Sequence, residues 1–247
     1  MATRIHLCGA VSVEIAGSRV EALLPRRQGV LFLAFLALHR QRPVERETVM
    51  EALWPRERPR AAPGAFRALL SKLRAAVGPE HLPGRERLQL VLPEGAWIDV
   101  EAAEEAVHRA ETSVAAGAWG PAWGAARVAQ MIPERGFLLG HDAPWVDERR
   151  RELAGVVERA ETCIVACGLA LGGGELLAAE RAARRLARRR PLDEAATMQL
   201  MRVLEAKGDP SEALGAYEGL RLHLREEIGT APGEELRAFH RRLLGAG

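Results

Sequence analysis

The stretch FRALLSKLRAAVG, residues 66–78, has the residue spacing of an amphipathic helix. Phe66, Leu70, Leu73 and Val77 recur at i, i+4, i+7 and i+11, which places them on one face of such a helix. An apolar stripe of this kind packs against the core of a domain. The segment therefore predicts a helix that lies on a hydrophobic core along one side.

The remaining surface of this helix combines small side chains with cations. Its members are Arg67, Ala68, Ser71, Lys72, Arg74 and Ala75. The two alanines lie opposite the apolar stripe and leave room for a close approach, and the cations at the edges attract anions. For the helix alone, two interpretations remain open: a solvated surface helix, or a helix that enters the major groove of DNA.

Short strands and two further helices are predicted before this segment. RIHLCG (4–9), VSVEIAG (11–17) and RVEALL (19–24) predict short strands separated by glycine. GVLFLAFLALH (29–39) is apolar nearly all round and predicts a core helix, and RPVERETVMEALWP (42–55) predicts an amphipathic helix. A small sheet followed by helices is thus expected at the N-terminus.

The segment RERLQLVLPEGAWIDV (85–100) predicts a hairpin with its turn at PEG, residues 93–95. A sheet, three helices and a final hairpin are typical of a winged helix-turn-helix with an added N-terminal sheet. In that fold the third helix, here 66–78, lies in the major groove, where arginine can bind guanine O6 and N7 together. We also expect Arg26 and Arg27, before the core helix, to contact phosphates.

The positive charge is concentrated in the N-terminal part of the chain. The net charge is only +2, but residues 1–100 carry 15 Lys and Arg against 10 Asp and Glu. Residues 101–247 carry 20 against 23. A polyanion such as nucleic acid would therefore be attracted to the N-terminal part.

Several other classes of protein are not indicated. No apolar run is long enough for a membrane span and no signal-peptide pattern is present, so we expect a cytoplasmic protein without a membrane partner. Cys163 and Cys167 stand at i, i+4, which leaves metal ligation open, but with Cys8 we interpret them as buried thiols. No phosphate-binding loop or nucleophile motif occurs, and we expect no enzyme, metal or cofactor.

The C-terminal part lacks strand patterns and predicts helices throughout. Three glycine positions each separate two predicted helices: Gly117, the glycines at 172–174, and Gly208. The distance between the last two positions is close to the length of a tetratricopeptide repeat. We expect residues 131–145 to fill the longer first interval as an ordered loop. Tyr217 and Trp145 fit either a helical core or a ligand pocket, and we favour the core.

A run of arginines in this part could bind an anion. Arg181, Arg184, Arg185 and Arg188 fall at i, i+3, i+4 and i+7 and would form a single stripe. Clustered like charges repel one another, and an anionic partner would relieve that repulsion. The stripe is interpreted either as a solvated helix face or as a contact for a partner or an anion.

Five blocks of the sequence together resemble the Streptomyces antibiotic regulatory protein (SARP) family of transcriptional activators. They are LPRRQGVLFLAFLALHRQRPVERETVMEALWP (24–55), the recognition helix with its core at Ser71–Arg74, PEGAWIDV (93–100), GFLLGHDAPWVDERRREL (136–153) and the segment 208–244. The resemblance implies an OmpR/PhoB-type winged helix over residues 1–100. It further implies a bacterial transcriptional activator domain, tetratricopeptide-like, over residues 101–247.

The resemblance also implies partners. A SARP-type activator would bind short direct repeats near a promoter as side-by-side copies and contact RNA polymerase, including its sigma subunit. A second hypothesis is an interaction or signal-binding scaffold whose DNA-binding part has been weakened, and a third is repression by occlusion of polymerase. A steep fall of DNA affinity with salt would distinguish the first hypothesis from the second.

This chain departs from the family pattern at positions near the expected DNA contacts. Glu45 stands where the family commonly has a serine that caps the second helix. The stretch AAPG (61–64) replaces polar residues at the start of the recognition helix, where Gly64 could let backbone N–H groups meet a phosphate. The wing has Ala96 and Trp97 where Tyr–Arg is common, so Arg85 and Arg87 are expected to supply the missing contact.

Overall fold

In the computed structural model, which describes residues 2–56 and 58–245, the chain forms two compact units. The first, which we call the winged-helix unit, comprises Met1–Glu104 and Met131–Gly155. The second, the helical unit, comprises Glu105–Gln130 and Val156–Gly247. The expected boundary at residue 100 lies close to the first of these divisions, but it does not anticipate the return of residues 131–155 to the winged-helix unit.

Backbone hydrogen bonds explain why residues 131–155 belong to the winged-helix unit. The Leu138 N–H donates to the carbonyl of Leu7 at 2.8 Å, and the Gly9 N–H donates to the carbonyl of Gly136 at 2.7 Å. The indole of Trp145 donates to the carbonyl of Ala52 at 3.2 Å. An ordered loop is present, but it is shorter than the predicted 131–145, because residues 131–134 and 144–145 are helical. Its anchors lie in the N-terminal part of the chain.

Four short strands form the N-terminal sheet. They are β1 (Arg4–His6), β2 (Ser12–Ile15), β3 (Ser18–Arg19) and β6 (Trp97–Ile98), in the order β3-β2-β1-β6. β1 and β2 are antiparallel, with Ile5 opposite Val13, and both of these side chains are buried. The third predicted strand is shorter than expected, because Glu21–Leu23 form a 3-10 turn.

Three helices follow as predicted: α1 (Arg26–Leu38), α2 (Arg46–Leu53) and α3 (Ala62–Val77). α1 buries every side chain from Leu31 to Ala37, which accounts for its uniformly apolar sequence. α3 buries Phe66, Leu70, Leu73 and Val77, so the stripe in the opening segment is confirmed.

The predicted hairpin is wrong in its pairing. β5 (Arg87–Leu88) pairs antiparallel with β4 (Val44–Glu45), whereas β6 pairs in parallel with β1. The turn at PEG does form, because the Ala96 N–H donates to the carbonyl of Pro93 at 3.1 Å and Gly95 has a φ of 77°. The sequence indicates two extended segments around a turn, but the strand that pairs with each segment lies elsewhere in the chain.

Seven helices complete the described chain. They are α4 (Asp99–Ala115), α5 (Trp119–Glu134), α6 (Pro144–Leu171), α7 (Glu175–Arg189), α8 (Glu194–Ala206), α9 (Pro210–Glu227) and α10 (Glu234–Gly245). Gly117 and Gly208, with φ of 68° and 84°, lie between helices as predicted. Tyr217 is a core residue of the helical unit and stacks on His240 with 3.9 Å between ring centroids.

The fold class is mainly α with a small β part, as expected. Across the described ranges, no helix is both long and apolar enough to span a membrane. Cys8, Cys163 and Cys167 are free thiols in buried positions, as the buried-thiol interpretation predicts.

Candidate nucleic-acid interface

The outer face of α3 has the composition that its sequence indicates. Gly64, Arg67, Ala68, Ser71, Lys72 and Ala75 are all exposed there. Successive positions along its centre carry only a hydrogen atom, methyl groups or a hydroxymethyl group. Arg67 lies at one edge and Lys72 at the other, so the face has a low centre between two cations.

Aromatic packing fixes the orientation of this face. The Phe66 ring, which is fully buried, lies 5.2 Å from the Phe32 ring of α1 between centroids. The guanidinium of Arg46 on α2 lies 4.7 Å from the centroid of the same Phe66 ring, close enough for a cation–π interaction. α3 is thus held from behind by both other helices, and its outer face stays available.

Arg74 has a different environment from the one expected. Its side chain is half-buried, and its Nε donates to the carbonyl of Leu82 at 2.9 Å. A second nitrogen of the guanidinium donates to the carbonyl of Gly84. Because these donors are already used, Arg74 braces the loop that follows α3, and the expected contact with a base loses its support.

Gly64 also differs in part from expectation. Its backbone N–H donates to the carbonyl of Ala61 at 3.0 Å, so that donor is not directed to a phosphate. A Cβ at this position would meet no atom within 4 Å, which leaves the space above it open. Gly64 therefore favours a close approach by its small size.

The cations outside α3 divide into paired and unpaired side chains. Arg87 binds the Glu45 carboxylate across the β4–β5 pair at 2.5 Å, and Arg27 lies 3.3 Å from the Asp142 carboxylate. Arg26 and Arg85 are exposed and form no ion pair within the described residues. The charges of Arg26 and Arg85 are thus available to a phosphate. The charge of Arg87 is neutralised by Glu45, which stands where the family commonly has a serine.

Sequence reasoning did not single out the arginines that lead into α3. Arg58 binds the Glu47 carboxylate and lies 3.6 Å from Glu51, which ties this connection to α2. Arg56 and Arg60 are exposed, and neither forms an ion pair with a described residue. The signal was present as the basic run at residues 56–60, immediately before the helix start.

The arginine stripe of α7 is largely engaged within the helical unit. Arg184 binds Glu180 at 2.8 Å and also Glu212, and Arg185 binds the carboxylate of Glu161. Arg181 and Arg188 are exposed, and no ion pair joins either of them to another described residue. The predicted solvated stripe is thus reduced to these two side chains.

Glu161 is the centre of this engagement. Its side chain is 0% exposed, and its carboxylate forms ion pairs with Arg185 and, at 2.5 Å, with Arg189. A buried carboxylate needs such partners, because an unpaired charge in the interior is strongly unfavourable. Arg185 and Arg189 therefore stabilise the fold, and of the two only Arg185 belongs to the stripe that the sequence spacing indicated.

Similarities to known proteins agree with this architecture. A family model described as bacterial transcriptional activator domain matches residues 98–244. Transcriptional regulatory protein EmbR of Mycobacterium tuberculosis is 28% identical over 246 residues, which are 96% of this chain and 62% of EmbR. Regulatory protein AfsR of Streptomyces coelicolor is 28% identical over 247 residues, which are 99% of this chain and 24% of AfsR.

The chain thus spans less than two thirds of the length of these relatives. A solved structure of EmbR from Mycobacterium tuberculosis, in complex with a low-affinity phosphopeptide, has a TM-score of 0.79 at 22% identity. That match covers 99% of this chain and 65% of the EmbR chain, which shows a shared fold. The chain belongs to the bacterial transcriptional activator domain family, in the SARP-type arrangement in which a winged helix precedes that domain.

Proposed function

We propose that this chain is a transcription activator that binds double-stranded DNA with α3 in the major groove. The observation that carries the proposal is the exposed face of α3, with small residues at its centre and cations at both edges. A helix with such a centre can approach base edges closely, because no long side chain holds it away. Arg67 is then the arginine best suited to contact a guanine.

Phosphate contacts are proposed for the surrounding cations. Lys72, Arg26, Arg60 and Arg85 are exposed without ion-pair partners in the described ranges, so binding a phosphate would break no existing pair. Arg27 would first have to leave Asp142 and is a weaker candidate. Each such contact releases counterions, which makes DNA affinity fall with salt.

Activation and assembly are proposed on the basis of the family. The family is described as a bacterial transcriptional activator domain, and the relatives EmbR and AfsR are named as regulatory proteins. We propose that side-by-side copies bind direct repeats near a promoter and that the helical unit contacts RNA polymerase, including its sigma subunit. This activity belongs in the cytoplasm, where the promoter and polymerase are found.

A salt titration of DNA affinity tests the proposal. Fluorescence anisotropy with a mixed-sequence duplex should give a linear fall of log affinity with log salt. Lys72→Ala and Arg26→Ala should each flatten the slope by about one unit, and Arg27→Ala should flatten it less. Arg181→Ala, an exposed arginine of α7, is the matched control and should leave the slope unchanged.

The contrary outcome is equally clear. A shallow salt dependence, or equal slopes for Lys72→Ala and wild type, would remove α3 from the DNA interface. The scaffold hypothesis would then be the better account of the chain.

A further inference from the structure

A cavity of about 400 Å³ opens between α7, α8 and α9 of the helical unit. Its apolar lining includes Leu200 of α8 together with Ala216 and Leu220 of α9. Arg188 and His223, which are both exposed, line it on the solvent side. The volume lies in the range of small-molecule sites, which combine a mostly apolar wall with a few polar groups.

One of the residues that line the cavity is a glycine inside a helix. Gly219 lies inside α9, where glycine destabilises a helix relative to alanine. A Cβ added at Gly219 would meet no atom within 4 Å, so no neighbouring group demands a glycine there. The effect of the missing side chain is to keep the cavity open.

The charge of the cavity comes from α7. Arg184 lines it, but the hydrogen bonds that its guanidinium donates to the carboxylates of Glu180 and then Glu212 raise its pKa and hold it in place. Arg188, one turn further along, makes no ion pair with any residue of the described ranges. The guanidinium of Arg188 is therefore available to an anion that enters the cavity.

We propose that this cavity binds a small amphipathic organic carboxylate. The carboxylate binds the planar guanidinium of Arg188, which can donate two parallel hydrogen bonds. The apolar body of the ligand packs on Leu200, Ala216 and Leu220. The proposal does not depend on DNA binding, because all the lining residues belong to the helical unit.

The test titrates 4-phenylbutanoate into the full chain and follows methyl resonances by NMR. We expect saturable shifts of the Leu200 and Leu220 methyl signals. The neutral analogue 4-phenylbutan-1-ol should bind about tenfold more weakly, because it lacks the charge-assisted hydrogen bonds. Equal affinity for the acid and the alcohol would overturn the proposed anion specificity.

Three variants locate the ligand. Gly219→Leu fills the cavity from a position with open space and should abolish the shifts while the melting temperature is kept. Arg188→Gln should weaken 4-phenylbutanoate about tenfold and leave the alcohol unchanged. Arg181→Gln, on the same helix but outside the cavity, is the matched control and should bind as wild type does.

Two results would overturn the site. One is the absence of saturable shifts in the wild-type chain, and the other is their persistence in a folded Gly219→Leu variant. If Gly219→Leu does not fold, the loss or retention of acid binding in Arg188→Gln decides the matter. DNA affinity measured on the same samples separates a failure here from a failure of the DNA-binding proposal.

Discussion

α3 and α7 both carry several cationic side chains, and the structure uses most of these cations in opposite ways. On α3, Arg67 and Lys72 are exposed and form no ion pair with another described residue. On α7, Arg184 and Arg185 bind carboxylates of α7 itself, α9 and α6. α7 has five arginines in 15 residues, whereas α3 has two arginines and one lysine in 16. The helices also differ in their carboxylates, because α7 contains Glu180 and α3 contains no acidic residue.

This difference indicates how to distinguish an interface from internal ion pairing. A cation that faces carboxylates on neighbouring helices contributes to the fold, and its charge is neutralised. A cation that faces only solvent keeps its field, and it attracts a polyanion at no cost to internal contacts. Charge on one helix therefore has to be judged together with the helices packed against it.

The largest expected effect concerns Glu161. Replacing it by alanine leaves Arg185 and Arg189 without their shared buried partner, and breaking a buried ion pair typically costs about 3–5 kcal/mol. Because both arginines are partly exposed, we expect the lower end, about 3 kcal/mol, in the free energy of unfolding from denaturant titration. Arg181→Ala should change it by less than about 0.5 kcal/mol. Equal stability of the two variants would contradict the internal role of α7.

The next effect concerns the low centre of α3. Ala68→Leu should reduce DNA affinity by at least about tenfold, or about 1.4 kcal/mol, because the added side chain holds the helix away from the bases. Ala154→Leu, at an exposed position of α6, is the control for an added surface leucine. Normal DNA binding by Ala68→Leu would mean that another face of α3, or another element, contacts the DNA.

A smaller effect is expected for Arg74, whose role the structure changes. Arg74→Ala removes two hydrogen bonds to the loop after α3 and should lower stability by about 1 kcal/mol. Arg67→Ala should leave stability unchanged, because its recorded contact is a single exposed bond of 3.3 Å to the Pro63 carbonyl. Differential scanning calorimetry compares the two variants. A stable Arg74→Ala variant with impaired base preference would restore the base-contact role.

The smallest effect is the pH dependence that the buried thiols impose. Burial, and then the Asp99 carboxylate, raise the pKa of Cys8 to about 12, so its thiol stays neutral in the folded chain. In the unfolded chain it ionises near pH 8.5–9, so stability falls as the pH rises from there toward 12. Between pH 7 and pH 9 we expect a loss of about 0.5 kcal/mol from this thiol. Cys8→Ala should remove this part of the stability loss. If denaturant titrations give the same pH profile of stability for Cys8→Ala and the wild type, the proposed contribution of the thiol is wrong.

Much of the fold follows from local patterns, and its long-range pairings do not. The apolar spacing of α3 and the uniform hydrophobicity of α1 predict both helices, because those signals lie within a few turns of chain. The pairing of β6 with β1 depends on residues more than 90 positions apart, so the hairpin was the simplest but incorrect expectation.

The candidate interface shows the same limit. The exposed positions of α3 follow from its periodicity, but the bonds from Arg74 to the loop carbonyls depend on how the chain returns after the helix. From the sequence, Glu45 only replaces the serine that caps the second helix in the family. Its side chain forms no cap in the structure and instead binds Arg87, a contact that depends on the pairing of β4 with β5.

The most direct test of the central claim, that the face of α3 contacts bases in the major groove, is a selection from randomised DNA duplexes followed by methylation interference. The account predicts enrichment of one sequence, loss of binding when guanine N7 within it is methylated, and a relaxed preference at one position for Arg67→Ala. Absence of enrichment, or binding that tolerates N7 methylation throughout the selected site, would contradict it.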